Sequence, residues 1–411
     1  MDRTIVLHLY PTPEQERILK STLEQYTSCY NAVAQEGFTT ECSNGVELHK
    51  RTYYPLRAAY PDLPAQLVCS ARVKATESVK SALTWRKKYD KNYPKRVAKA
   101  QKHNKPIPVY KPVRAPQSTL CAIRYDARSY WVKWESRTAS IATVAGRIQL
   151  SFTVPRHCLP YLVGKPCSAD LCYRYGRYSL HVVVTIPEPI VEKSNEVVGV
   201  DLGLNRPAVT SNRHFLGERR WKEQERRIFR LRRKLQAKGT KSATRHLKKL
   251  SGQLFRQRKD HDHVLSKRIV QHLTPGSTLV LENLTDIRER VAHKKGEGQR
   301  RMHSWSFAQF FGFVTYKAEA RGIEVTRIDP RHTSQTCSRC GYQARNNRRS
   351  QSLFLCRFCG FQLNADFNAA RNIREKYVAS LADFGISLVG GSPRQAAYRL
   401  DSSVSGTSPW L

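Results

Sequence analysis

Four cysteines stand at the spacing of a metal site: Cys337-Ser338-Arg339-Cys340 and Cys356-Arg357-Phe358-Cys359, with residues 341–355 between them. Each pair is followed by a glycine, Gly341 and Gly360. A Cys-x-x-Cys turn lets two thiolates reach one tetrahedral ion, and two such turns complete the four sulfur ligands of a structural Zn²⁺. With every position filled by sulfur, such a zinc keeps no open site for catalysis. The other seven cysteines (Cys29, Cys42, Cys69, Cys121, Cys158, Cys167 and Cys172) are scattered. That pattern predicts a reduced, intracellular chain rather than a disulfide framework.

Three carboxylates offer a second chemistry. Val197-Val198-Gly199-Val200-Asp201-Leu202-Gly203-Leu204 reads as a buried strand with one acid near its end. Gly276 to Leu284 repeats the logic and carries Glu282 at its tip. Asp366 lies in Asn364-Ala365-Asp366-Phe367-Asn368-Ala369-Ala370-Arg371-Asn372, which reads as a helix start. Singly, each has an ordinary alternative: a turn Asp beside glycine, or an acid in a helix's first turn. Together, two carboxylates at neighbouring strand tips and a third from a helix can hold two Mg²⁺ about 3.5–4 Å apart. One ion would activate water and the other stabilise the leaving oxygen of a phosphodiester.

The charge agrees with a phosphodiester partner. Lys and Arg number 71 against 33 Asp and Glu, a net charge of +38 over 411 residues, and polyphosphate is the natural complement. No segment approaches the ~18 apolar residues of a membrane span, and the first residues carry no secretory pattern. The expectation is a cytoplasmic nucleic-acid binder of two or three domains. One rival takes Asp201-x-Gly203 as the phosphate loop of an actin-like ATPase, but further glycine-rich nucleotide loops are missing. The other is a non-catalytic binding protein with a zinc ribbon and a basic surface, in which the three acids need not all survive, yet all three stand in place.

The elements that must position these residues are read in chain order. Residues 4–10 read as a strand, and Thr12-Pro13-Glu14-Gln15 opens a helix with a capping box, continued by Leu19, Leu23 and Tyr26. Pro55, Pro61 and Pro64 punctuate the stretch beyond it. A second helix is expected over 66–85 with Val68, Val73, Val79 and Leu83 inward. Residues 86–114, rich in Lys, Arg, Tyr and Pro, suit phosphate contact and base stacking, or simply a solvated basic loop. From about Tyr110 to Pro189 the period becomes two, with strands at 130–134, 147–154 and 178–184, which predicts a small antiparallel barrel or sandwich. The opening strand could close it, making the helices an insertion. Strands are expected again at 207–210 and 214–216. A helical hairpin over 219–259 breaks at Gly239-Thr240 and carries seventeen Lys/Arg against Glu223 and Glu225. A further helix is expected over 263–272, with His261 and His263 as polar helix-start residues rather than ligands. Residues 288–301 read as a mobile basic loop, 305–321 as a helix, 323–328 as a strand, and 378–411 as a disordered tail. Strands alternating with helices imply an α/β layer.

In this order, Gly199-Val200-Asp201-Leu202-Gly203, Leu281-Glu282-Asn283-Leu284, Thr333 to Gly341, the second CxxCG and Asp366 to Ile373 resemble the TnpB family. These are transposon-encoded RNA-guided nucleases related to type V CRISPR effectors. The N-terminal half is similar more loosely, through Tyr10-Pro11-Thr12 and Leu63-Pro64-Ala65-Gln66. The resemblance implies a multi-domain α/β plus all-β protein. Its expected parts are a first strand of a wedge β-barrel at 1–11, a helical recognition domain at 12–108 and the rest of the barrel at 109–190. An RNase H-like (RuvC) nuclease domain comes next at 195–332, with a zinc ribbon inserted at 333–362, a last RuvC-like part at 363–377 and the tail. It implies Asp201, Glu282 and Asp366 as catalytic ligands of two Mg²⁺ (or Mn²⁺), and Cys337, Cys340, Cys356 and Cys359 as ligands of one Zn²⁺. It further implies a guide RNA from the transposon end and double-stranded target DNA cut beside a short motif, by a monomer within the nucleoid of a prokaryote. A nuclease-inactive RNA-guided repressor or transposition accessory protein is the alternative. Candidate nucleic-acid contacts are Gln66, Lys74, Arg226, Arg230, Arg233, Lys234, Arg245, Lys248, Arg331 and Arg371.

Overall fold

In a computed structural model that describes residues 1–285, 287, 302 and 305–383, the chain forms two compact units, Met1–Pro187 and Glu188–Leu411. The expected loop at 288–301 and the tail beyond Asp383 lie outside the described residues.

The first unit opens with β1 (Asp2–Tyr10), followed by α1 (Pro13–Thr39), α2 (Gly45–Ala59) and α3 (Ala65–Lys102). Six strands complete it: β2 (Ile123–Asp126), β3 (Tyr130–Lys133), β4 (Thr138–Thr143), β5 (Gly146–Thr153), β6 (Lys165–Arg174) and β7 (Arg177–Thr185). All seven strands form one antiparallel sheet in the order β2-β6-β7-β1-β5-β4-β3. β1 takes the centre, so the helices are inserted between the first and second strands of one sheet. The sheet curls into a near-barrel: Tyr125 on edge strand β2 donates to the carbonyl of Ala142 on β4, next to the opposite edge (3.0 Å). Thr12 caps α1 through the Gln15 amide (3.3 Å) while the Gln15 side chain accepts from the Thr12 amide (3.0 Å).

Four expectations for this unit need correction. Pro55 does not punctuate: it lies inside α2, where burial of Leu48, Thr52 and Leu56 outweighs the lost backbone bond. α3 does not stop near residue 85 but runs through the basic stretch and Pro94 to Lys102. There Tyr93 and Tyr110 rings meet at 5.0 Å and Tyr110 donates to Asp90 (2.7 Å), so the basic stretch is helix as far as Lys102, and the irregular segment after it folds back to form an aromatic cluster with the helix. Val73 is 37% exposed, whereas Val68, Val79 and Leu83 are buried. The sheet also holds β2, β4 and β6, beyond the strands that the period-two pattern predicts.

The second unit is built on β8 (Val197–Asp201), β9 (Ala208–Thr210), β10 (Phe215–Leu216), β11 (Thr278–Glu282) and β12 (Glu324–Ile328), in the order β10-β9-β8-β11-β12. β8 runs parallel to β11, and β11 to β12, whereas β9 is antiparallel to both β8 and β10. Between β10 and β11 come α4 (Arg219–Lys238) and α5 (Lys241–Gln271); α6 (Phe307–Glu319) links β11 to β12. Gly239 ends α4 at φ +64° and Thr240 caps α5, so the hairpin turns where expected. α5 is however continuous through the anticipated second helix at 263–272. His261 and His263 are therefore interior to it, stacked on Trp221 (4.4 Å) and Phe313 (3.8 Å). Leu231 is exposed, leaving Ile228, Phe229, Leu250 and Leu254 as the seam.

Alternation along β8 and β11 sorts their side chains between two helical layers. Val198, Val200, Leu279 and Leu281 pack with residues of α5 and α6. Val197 and Val280 pack with Ile373, Tyr377 and Val378 of the last helix, α7 (Ala365–Asp383). That packing carries α7 past residue 377 and shortens the expected tail. A small ladder of β13 (Leu353–Leu355) and β14 (Gln362–Asn364) precedes α7. Among the described residues no helix is long and apolar enough to cross a membrane.

Candidate active site and cysteine cluster

The two acids at strand tips meet because β8 and β11 are parallel and adjacent. Leu281 pairs with Val200, which sets Glu282 beside Asp201 at the C-terminal ends of the two strands. Open α/β sheets place ligands at this end. Asp201 lies two residues from Gly199, on the face that α7 covers. A Cβ on Gly199 would lie 2.4 Å from the Ala370 carbonyl oxygen and 2.6 Å from the Arg374 nitrogen. The missing side chain therefore lets α7 lie directly on β8 and brings its first turn, with Asp366, to the acid pair.

The cysteine-bearing segment holds the other side. Asn368 accepts from the Ser338 amide (3.0 Å) and donates to the Thr336 carbonyl (2.8 Å). One turn on, Asn372 donates to the carbonyls of Thr333 (2.8 Å) and Thr336 (2.6 Å). Both asparagines are buried, so they clamp α7 to the segment. Thr333 donates to Glu282 Oε1 (3.3 Å) and Arg348 Nη2 donates to Asp366 Oδ1 (2.8 Å). Burial, then the negative charges of Glu282 and Asp366, raise the pKa of Asp201 well above the usual carboxylate range, with Arg348 opposing. Burial pushes Glu282 up to about 7 against the Thr333 hydrogen bond. Among the described residues, the Arg348 guanidinium thus contacts Asp366 and acts on Asp201.

The cysteines are gathered more tightly. Their four sulfurs lie within 4.8 Å of one another, the one such cluster of potential ligands among the described residues. Cys337 and Cys359 sulfurs are 3.8 Å apart, and those of Cys340 and Cys356 are 3.6 Å apart. A tetrahedron with Zn–S near 2.3 Å has edges of about 3.8 Å, so the set fits zinc. Each turn closes through its glycine at positive φ (Gly341 +77°, Gly360 +69°), whose amide donates to the carbonyl of the first cysteine. Amides of Arg339 and Cys359 donate to the sulfurs of Cys337 and Cys356 (3.4 and 3.5 Å).

Of the candidate nucleic-acid residues, Arg226, Arg230, Arg233, Lys234, Arg245 and Lys248 are exposed on α4 and α5. Arg331 is exposed and Arg371 is half-buried. Gln66 and Lys74 are half-buried, Gln66 donating to Asp126 and Lys74 to the Ala122 carbonyl (2.7 Å) within the first unit. In the sequence Arg348 is one loop cation among several, and nothing there assigns a role to Thr333 or to the Asn368/Asn372 pair. Only the helical spacing of the two asparagines hints at a shared face.

Two family models match the chain: Cas12f1-like, TNB domain, over residues 307–373, and a probable transposase family, OrfB_IS605, over residues 181–288. The CRISPR-associated endodeoxyribonuclease Cas12f1 of Sulfoacidibacillus thermotolerans is 32% identical over 205 residues, 46% of this chain and 47% of that protein. A TnpB-like protein of Methanocaldococcus jannaschii is 32% identical over 131 residues, 32% of this chain and 46% of its own. The chain spans about half the length of these curated relatives. Among solved structures, the mini-RNA-guided endonuclease CRISPR-Cas_phi3 aligns with a TM-score of 0.52 at 10% identity, covering 95% of this chain and 93% of that one. That last likeness is one of fold alone. The comparisons bear out, over the second half of the chain, the resemblance to the TnpB family carried by its motifs.

Proposed function

We propose that the chain is a transposon-encoded, RNA-guided DNA endonuclease with a metal-dependent active site. The observation that carries this reading is the meeting of Asp201, Glu282 and Asp366 at one end of a five-stranded sheet, in a chain of net charge +38. Three acids opposed, among the described residues, by Arg348 alone call for further positive charge, and an all-oxygen donor set suits a hard divalent cation. Bound there, Mg²⁺ or Mn²⁺ would supply a polarised attacking water and neutralise the leaving oxygen of a phosphodiester.

The protein's own groups prepare that site. Thr333 holds Oε1 of Glu282 and Arg348 holds Oδ1 of Asp366, leaving each acid its second oxygen for coordination. The raised proton affinity of Asp201 and Glu282 means that loading the site releases protons. The sheet order, with its first strand central, antiparallel β9 and then β10 on one side and the parallel strands β11 and β12 on the other, supports an RNase H-like (RuvC) domain. The four sulfurs support a zinc ribbon inserted before the last acid. The near-barrel and its inserted helices would then serve as wedge and recognition domains. Sequence choice would rest on a guide RNA paired with the target strand, the protein reading a short motif beside it. The working particle would be one chain with its RNA.

Expression with flanking DNA, sequencing of the co-purifying RNA, and challenge of a randomised plasmid library with Mg²⁺ test the reading. Cutting beside a fixed short motif at guide-matched sites is expected. RNA-directed binding without cutting would leave a nuclease-inactive repressor or transposition accessory protein instead.

A further inference from the structure

The β6–β7 hairpin tip carries features that the carboxylate site does not use. Arg174 pairs with Arg177 across the ladder, so the loop is Tyr175-Gly176 alone. Both residues take positive φ, +54° and +75°. Two-residue loops of this kind favour Asn, Asp or Gly at the first position, and a bulky residue there is strained. Tyr175 gains no burial in return: it is 101% exposed. The arginines are also poorly placed for stability, since like charges directly opposite on antiparallel strands repel, and both are exposed. The stem behind them is firm, with Tyr173 and Tyr178 rings 4.6 Å apart. A second exposed ring, Tyr10 (59%), ends β1 two residues past its His8–Ser179 pair with β7, toward the same end of the sheet.

An exposed aromatic face between two cations that form no ion pair among the described residues matches one ligand chemistry, a flat base flanked by phosphates. We propose that this tip is an RNA-binding finger: Tyr175 stacks on an unpaired base while Arg174 and Arg177 hold the phosphates on either side. RNA is favoured over duplex DNA because loops and bulges present unstacked bases, whereas a duplex keeps them paired. The inference rests on the RNA-guided reading only for the presence of an RNA.

The test uses the full chain stripped of nucleic acid, with a short fluorescent RNA hairpin carrying an unpaired loop. The loop sequence as single-stranded DNA and a blunt RNA duplex are the controls. Tyr175→Asn removes the ring yet installs a residue that suits the turn, so thermal stability should hold or rise. Its affinity for the looped RNA should fall about 5- to 100-fold, with the blunt duplex unaffected and Tyr175→Trp close to wild type. Arg174→Ala combined with Arg177→Ala should flatten the salt dependence by about 1.4 in log–log slope, ~0.7 per phosphate. Unchanged looped-RNA binding by Tyr175→Asn, or an equal loss on the blunt duplex, overturns the finger. A loss confined to single-stranded DNA overturns its assignment to RNA. Normal Tyr175→Asn binding in a chain that cuts guided DNA sinks the finger alone; lost binding in a chain that never cuts sinks the nuclease reading alone.

Discussion

The four cysteines and the three carboxylates are both candidate metal centres, yet they are assembled in opposite ways. The cysteines come from one stretch, 337–359, and two glycine-closed turns aim their sulfurs at a common centre. The carboxylates come from the ends of β8 and β11 and the first turn of α7, and they meet only after a sheet has formed and a helix has docked on it. Backbone amides and neighbouring thiols surround the sulfurs, and burial and the neighbouring carboxylates drive up the proton affinity of Asp201. The first arrangement is suited to holding an ion for stability, the second to holding charge that a substrate phosphate would meet. The segment bearing the cysteines also supplies Thr333 and Arg348 to the acids, so it braces the carboxylates.

The comparison breaks first at the cysteines. Cys337→Ser or Cys356→Ser should abolish zinc binding and lower the melting temperature, because the binding energy of such a site is folding energy. Unchanged zinc content by elemental analysis would contradict the structural role. Gly199→Ala should be next in size: the added methyl would drive α7 off β8, costing about 1–3 kcal/mol and displacing Asp366. Gly312→Ala, where nothing lies within 4 Å and φ is not positive, serves as a thermal-melt control for the added methyl alone. Arg348→Ala should slow cleavage roughly 10- to 100-fold with little change in melting temperature, as expected for loss of one charge-assisted contact; Arg348→Lys should recover part of it. The smallest effect is in pH. A carboxylate whose folded pKa is raised contributes stability that is fully present below its unfolded pKa and lost as pH rises through the folded value. Zinc-loaded protein without Mg²⁺ should therefore melt lower as pH climbs from about 4 to above 7, and Glu282→Gln should flatten that slope.

Legibility in the sequence divides along the same line between local and non-local features. The capping box at Thr12 and Gln15, the break at Gly239-Thr240 and the cysteine turns are decided by neighbours in the chain, and the structure has them where the residues imply. Pro55 misleads because packing of the α2 face overrides a local breaker. α5 hides its length for a related reason: the polar His261 and His263 look like a helix start, but each is stacked on an aromatic ring brought from another helix. The three acids are legible as strand-tip and helix-start residues; the ladder register and the Gly199 contact that unite them are not. Arg348 is indistinguishable from the surrounding cations, since only folding brings it to Asp366.

Single-turnover cleavage of a guide-matched plasmid by the RNA-loaded chain, wild type against Asp201→Asn, bears on the central claim most directly. Asp201→Asn preserves the size of the side chain while removing its charge. The expected result is Mg²⁺-dependent cutting by the wild type, cutting slowed by at least about 10³-fold in the variant, and equal RNA binding by both. Cutting by Asp201→Asn at the wild-type rate would contradict the assignment of the carboxylate cluster as the catalytic centre.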